Sequence, residues 1–344
     1  MSKAFSQFAT KPQTRRPRIG FVGLGWIGRN RLESIAAMDL VDVVAISDCE
    51  PEALAVSSKI APRAEVLTQF DGLLAADCDG VVLATPNAHH AEQSIAALER
   101  GLAVFCQKPL ARDLAETQHV IAAAKARDKL LGVDLSYRFV PGMQKLANVI
   151  RNGDLGTIFA VDLVFHNAYG PGKPWFYDRE VSGGGCVLDL GIHLLDLTAW
   201  ALDASKLEVV SAALFKSGAP LQTISDGVED YASATLRIDD RVLVTLACSW
   251  SLNLGAEARI EAVFHGTDAS GVFRNVAGSF YDFAAERCTG TSCETLTTAD
   301  DANWIWGGLA AREWCCKLLS GNRYDPAVEQ LLISASAIDQ IYGR

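Results

Sequence analysis

Three side chains in this sequence are of types and spacings that could move a proton: Lys108, ahead of a proline, and the pair Asp189 and His193, four residues apart. Histidine alone has an ordinary pKa near neutrality, which makes His193 the natural general base. A lysine such as Lys108 can stabilise charge that develops on an oxygen, and a carboxylate such as Asp189, one helical turn before an imidazole, can orient the ring or relay its proton. A base and a cation converging on one oxygen suit the oxidation of a secondary alcohol, provided that a hydride acceptor is at hand.

The acceptor's site is written near the N-terminus as Gly23-Leu24-Gly25-Trp26-Ile27-Gly28, with Asp48 twenty residues after the last glycine. Arg18 to Val22 reads as a buried strand, and Trp26 to Met38 as a helix with apolar residues at Ile27, Leu32, Ile35 and Met38. In that setting Gly23 permits the turn, Gly25 lets the backbone approach a pyrophosphate, and Gly28 lets helix and strand pack closely. The helix N-terminus favours an anion without a lysine in the loop. Asp48, expected at the end of the second strand, would accept from both hydroxyls of an adenosine ribose. It would repel a 2′-phosphate by roughly 4 kcal/mol at ~4 Å and an effective dielectric of ~20, so NAD is expected and NADP disfavoured.

Two further segments stand where strands of such a sheet end, at its ligand-binding edge: Thr85-Pro86-Asn87, with His89 and His90 after it, and Gln107-Lys108-Pro109. With Ser182-Gly183-Gly184-Gly185-Cys186-Val187-Leu188-Asp189-Leu190-Gly191-Ile192-His193, they make the chain after residue 17 resemble the Gfo/Idh/MocA oxidoreductases. The resemblance implies an NAD-dependent dehydrogenase acting on a sugar, a sugar derivative or an inositol, with Lys108, Asp189 and His193 catalytic. It implies cofactor contacts from Gly23, Gly25, Trp26, Ile27, Gly28, Asp48, Thr85, Pro86, Asn87, His90, Gln107 and Lys108. The family usually carries Glu-Lys-Pro with its acid near the nicotinamide ribose, whereas Gln107 stands here. Some members are glycosidases that retain NAD, and one relative is a dinucleotide-sensing regulator. His89 and His119 read as solvated surface residues.

Substrate contacts are expected from the strand ending at His166 and Asn167, His166 being the first choice, and from Trp175 and Arg179 in the loop before the catalytic helix. Aromatic faces beside amide, imidazole and cationic groups suit a small polyhydroxylated ring.

The elements that must position these residues follow two patterns. From about residue 18 to 135, short apolar runs alternate with helical ones, which predicts a doubly wound parallel sheet, an α/β Rossmann domain. Asp113 with Glu116 reads as a capping box, and Gly101 as a left-handed helix cap. After a helix near 144–151, strand-like runs at 157–166, 207–215, 229–238, 242–252 and 259–265 predict an α+β domain with a large, mostly antiparallel sheet. Helices are expected near 304–319 and 327–341. The expected division is a tail over 1–16, an NAD-binding domain over 17–137, and a substrate and oligomerisation domain over 138–344. One open sheet face makes a homodimer or homotetramer plausible.

A net charge of −10 argues against a nucleic-acid partner, and no apolar run is long enough to cross a membrane. The tail has no apolar signal core, which with nine scattered cysteines points to a cytoplasmic, reducing compartment. The cysteines read as small buried hydrophobes, and Cys288 with Cys293 lacks the histidines that a metal site would need.

Overall fold

The computed structural model describes residues 15–223, 226–298 and 308–344, and these form two compact units. In the first, β1 (Arg18–Val22), α1 (Trp26–Ala36), β2 (Asp42–Ser47), α2 (Pro51–Ile60), β3 (Glu65–Leu67) and α3 (Phe70–Ala75) make one half. The other half is β4 (Gly80–Leu83), α4 (His90–Glu99), β5 (Ala103–Cys106), α5 (Leu114–Arg127) and β6 (Leu131–Val133). The six strands pair in parallel in the order β3-β2-β1-β4-β5-β6. This is the dinucleotide-binding order, and its switch point lies between β1 and β4. Strands β4 and β5 are buried along their whole length, as a sheet covered on both faces requires. Gly101 takes φ +83° just past α4, where the left-handed cap was expected.

The second unit begins with α6 (Pro141–Arg151) and β7 (Ile158–Asn167), followed by α7 (Arg179–Ser182) and α8 (Ile192–Ala201). A meander comes next: β8 (Leu207–Lys216), β9 (Ala219–Pro220), β10 (Tyr231–Ile238), β11 (Val242–Ser249) and β12 (Ala258–Gly266), then β13 (Ser270–Asn275), β14 (Phe283–Thr289) and β15 (Ser292–Thr297). The nine strands run β15-β14-β13-β12-β7-β11-β10-β8-β9, antiparallel except where β7 meets β11. Inward side chains such as Val161, Leu163, Phe165, Leu236, Val244 and Phe264 meet α6, α8 and the C-terminal helix in one apolar core.

Three expectations need correction. The residues after 137 do not all belong to one unit: α9 (Gly308–Ser320) packs on α1 and β6 of the first unit, where Trp314 is buried beside Phe105 and against Gly132, and only α10 (Leu331–Tyr342) belongs with the second. A buried indole of this size is worth about 2–3 kcal/mol of transfer free energy, so it draws the chain back to the nucleotide unit. The start of this expected helix, 304–307, and the tail before residue 15 lie outside the described residues. Strands β13, β14 and β15 were not anticipated, because runs such as Ser292-Cys293-Glu294-Thr295 are too polar to signal a buried face. Within that hairpin Cys288 and Cys293 lie directly opposite each other and form a disulfide, whereas Cys106, Cys186, Cys248 and Cys315 are buried thiols as expected. A cross-strand pair brings side chains close enough for bonding.

Candidate active site

The glycine turn follows from local geometry. Gly23 takes φ +82°, and a Cβ there would lie 2.4 Å from the Ala84 carbonyl oxygen; one on Gly28 would lie 1.9 Å from the Gly23 oxygen. Among the described residues, a Cβ on Gly25 meets nothing within 4 Å, and α1 begins with no side-chain cap and no acidic residue in its first turn. Those features fit the pyrophosphate of a dinucleotide. Asp48 is half-buried; its Oδ2 accepts from the Leu24 N–H at 2.5 Å and its Oδ1 from the Glu50 N–H at 2.9 Å. It braces the glycine turn, and a carboxylate with four lone-pair positions keeps capacity for ribose hydroxyls. Trp26 and Ile27 open α1, with Trp26 exposed.

Thr85, Pro86 and Asn87 follow β4, while Gln107 and Lys108 follow β5, so both segments lie at the carboxyl edge of the sheet. Asn87 is buried, and Thr85 donates its hydroxyl to Gln93 Oε1 at 2.7 Å. His90 occupies a different place from that expected. It is wholly buried, with Nδ1 2.7 Å from the Pro109 oxygen and Nε2 2.7 Å from the Thr85 oxygen. Both ring nitrogens are thus engaged by main chain, so the ring ties the two segments together and offers a cofactor no polar atom. Burial pushes its pKa down, while the two carbonyl oxygens favour the charged ring. His89 beside it is exposed, as expected. Gln107 is nearly buried, accepting from the Lys108 N–H at 3.0 Å and donating to Asp134 at 2.7 Å. The Lys108–Pro109 peptide is cis, and the Lys108 side chain is partly exposed.

In the second unit, Asp189 lies in a π-helical stretch, Val187–Gly191, that runs into α8, and His193 sits in the first turn of α8. Such wide turns recur at functional sites because they re-aim side chains. Asp189 accepts from the Trp250 indole N–H at 3.0 Å. The His193 ring stands edge-on to Tyr137, with centroids 5.0 Å apart, and 6.2 Å from Phe165. Arg138, next to Tyr137, makes a two-pronged ion pair with the buried Asp196 of α8.

The turn that starts this helix is held by a residue no motif announced. Glu229 is fully buried; Oε1 accepts from the N–H groups of Gly185 and Val187 and from the Tyr342 hydroxyl at 3.1, 3.0 and 2.8 Å. Its main-chain oxygen accepts from Cys186 and would lie 1.9 Å from a Cβ on Gly185, so position 185 must be glycine. Burial raises the pKa of Glu229, against the pull of these donors.

His166 is not beside His193. Successive residues of a strand point to opposite faces, and Phe165 is the one whose ring packs by His193. His166 therefore points to the other face, where it bonds Ser249 at 2.8 Å and stacks on Tyr231. Burial and the nearby Arg259 lower its pKa. Asn167 returns to the face of Phe165, and its Oδ1 is buried with no hydrogen-bond partner among the described residues. Trp175 stacks on Phe176 at 3.8 Å, whose ring meets Trp250 edge-on at 6.3 Å, and Arg179 begins α7 half-exposed. Trp250 thus links this loop to Asp189.

The profile of an oxidoreductase family with an NAD-binding Rossmann fold matches residues 17–135, and that of the GFO/IDH/MocA C-terminal domain matches residues 143–272. The chain belongs to the Gfo/Idh/MocA family. Its first unit is accordingly an NAD(P)-binding Rossmann domain. D-glucoside 3-dehydrogenase of Escherichia coli (strain K12) is 29% identical over 57% of this chain and 59% of its own length. Among solved structures, a 3-ketoreductase from Actinomadura kijaniata in complex with NADP and TDP-benzene aligns with TM-score 0.81 at 22% identity, over 96% of this chain and 98% of its own. A levoglucosan dehydrogenase in complex with NADH and levoglucosan aligns with TM-score 0.80 at 21% identity, over 96% and 98%. At these identities the structures establish the shared family fold. Among the described residues, no helix is long and apolar enough to cross a membrane.

Proposed function

We propose that this family member is a dehydrogenase that oxidises a secondary alcohol of a sugar, a sugar derivative or an inositol, with NAD as hydride acceptor. The observation that carries the proposal is the braced pair on the second unit: Asp189 fixed by the Trp250 indole, and His193 one turn later against Tyr137. A protein that only sensed a dinucleotide would have no use for an acid and a base held in this way.

In this reading Lys108 stabilises the charge growing on the substrate oxygen, His193 takes the hydroxyl proton, and Asp189 steadies the imidazole. Bound NAD supplies the hydride acceptor. Asn167, whose buried Oδ1 has no partner among the described residues, is the residue of choice for a substrate hydroxyl, with Trp175 and Arg179 from the adjoining loop. The names of the relatives, a glucoside dehydrogenase and a levoglucosan dehydrogenase, support a carbohydrate-type substrate. Exposed Val210 and Leu243 on the second sheet support a homodimer or homotetramer.

The preference for NAD rests on Asp48, since the related ketoreductase was solved with NADP. Asp48→Ala is expected to narrow the ratio of NAD to NADP affinity by about tenfold, or ~1.4 kcal/mol, in a fluorescence titration of the reduced forms. An unchanged ratio removes Asp48 from cofactor choice. The activity is tested by NADH appearance at 340 nm when the protein meets NAD and a panel of sugars, amino sugars, uronic acids and inositols. Turnover of any of them supports the dehydrogenase. Silence with NADH binding retained points instead to a glycosidase that keeps its NAD, or to a regulator.

A further inference from the structure

Gln107 is a bifunctional link. Its Oε1 accepts from the main-chain N–H of Lys108 at 3.0 Å while its Nε2 donates to Asp134 Oδ2 at 2.7 Å. Asp134 follows β6, has a wholly buried side chain, and takes a second donor on the same oxygen, the Nε of Arg31. Arg31 lies on α1, the helix of the glycine turn, and its guanidinium is almost as deeply buried as the carboxylate. One series of hydrogen bonds therefore runs from the dinucleotide helix through Asp134 and Gln107 to the backbone of Lys108, all within the first unit.

The chemistry of this series is restrictive. An amide donates and accepts at once, whereas an ionised carboxylate only accepts. A glutamate at position 107 could still receive the Lys108 N–H, but it would turn a second carboxylate toward Asp134, which already accepts from the Arg31 guanidinium. In a buried site such a pair must take up a proton or lose its contact.

We infer that Asp134 is a positioning residue for Lys108, acting through the Gln107 amide, and that positions 107 and 134 together hold a single carboxylate against Arg31. This builds on the dehydrogenase reading for the role of Lys108; the pairing itself depends on no substrate.

The test compares Gln107→Glu, Asp134→Asn and the double variant, in which acid and amide exchange places. Three quantities are read: the melting temperature between about pH 5.5 and pH 8, the rate at which acetic anhydride labels Lys108 by peptide mass spectrometry, and kcat and KM on whichever substrate the panel finds. Gln107→Glu is expected to melt several degrees lower at the alkaline end and to recover as pH falls, because the introduced carboxyl, once protonated, donates to Asp134 as the amide does. Lys108 labelling is expected to change at least about threefold in each single variant, and kcat to fall about tenfold with KM little altered. In the double variant the melting temperature loses its pH dependence and labelling and kcat return toward wild type.

A Gln107→Glu protein with unaltered melting and labelling overturns the proposal. So does a double variant no better than its parents. If no substrate is turned over by the wild type, the dehydrogenase reading fails on its own, and melting and labelling still decide the pairing.

Discussion

The two units hold their chemistry-bearing residues by different means. In the nucleotide unit, Lys108 is held at short range by groups in the motifs themselves: its own neighbour Gln107, and His90, which grips the Pro109 and Thr85 oxygens. In the sheet unit, Asp189 and His193 are held by groups far away in sequence. Trp250 fixes Asp189, while Glu229 and the C-terminal Tyr342 anchor the turn that starts their helix. A parallel sheet gathers its loops at one edge, so neighbouring loops brace one another. A large antiparallel sheet has no such edge, and its helix must be pinned by residues that distant segments bring to it.

The sharpest way to test that contrast is to remove the residue that each unit presents. Lys108→Ala is expected to lower kcat by about 10²- to 10⁴-fold while NADH affinity stays within about threefold, measured by steady-state kinetics and fluorescence titration. The braces on its backbone stay in place and the loss is purely chemical, so the melting temperature should not move. A near-normal rate would remove Lys108 from the mechanism.

Glu229 should behave in the opposite way, costing stability first. Glu229→Ala leaves the N–H groups of Gly185 and Val187 and the Tyr342 hydroxyl without their acceptor, for a loss of about 2–4 kcal/mol in urea unfolding. Because burial raises its pKa in the folded protein, the Glu229 contribution is fully present below the unfolded carboxylate pKa and declines as pH rises through the folded value. A Glu229→Gln protein should lack that decline, since an amide does not titrate. An identical pH profile for wild type and Glu229→Gln would show that this carboxyl is not the group responsible.

The smallest expected effect separates neighbours on one strand. Asn167→Ala should raise KM about tenfold, whereas His166→Ala, on the other face of the sheet, should leave kcat/KM within about twofold. The reverse order would place the substrate on the face of β7 that carries His166, away from His193.

Much of the nucleotide unit was legible in advance because its constraints are local. A turn with φ +82° and two backbone approaches closer than a Cβ allows demand glycine at positions 23 and 28, and Gly25 between them leaves open the space that a pyrophosphate would fill. The helix proposed as catalytic was legible for a similar reason, since Asp189 and His193 are one turn apart whatever surrounds them. His90 was recognised as a motif residue, but its partners are carbonyl oxygens, which leave no trace in side-chain identity. The face that His166 occupies is not legible in the sequence, because alternation tells which residues of a strand share a face and not which face receives the helix.

What the sequence by itself determined is therefore the dinucleotide turn, the acidic residue that follows β2, the lysine and the helix that carries acid and base, all products of spacings under about twenty-five residues. Only the tertiary structure decided that α9 returns to the nucleotide unit, that Asn167 and not His166 shares the face of His193, and that Asp134 and Glu229 lie beneath the two sets of reactive groups. The physical reason is the same in each case. A buried carboxylate is recognisable by what desolvates and hydrogen-bonds it, and those partners arrive from segments 27 to 113 residues away.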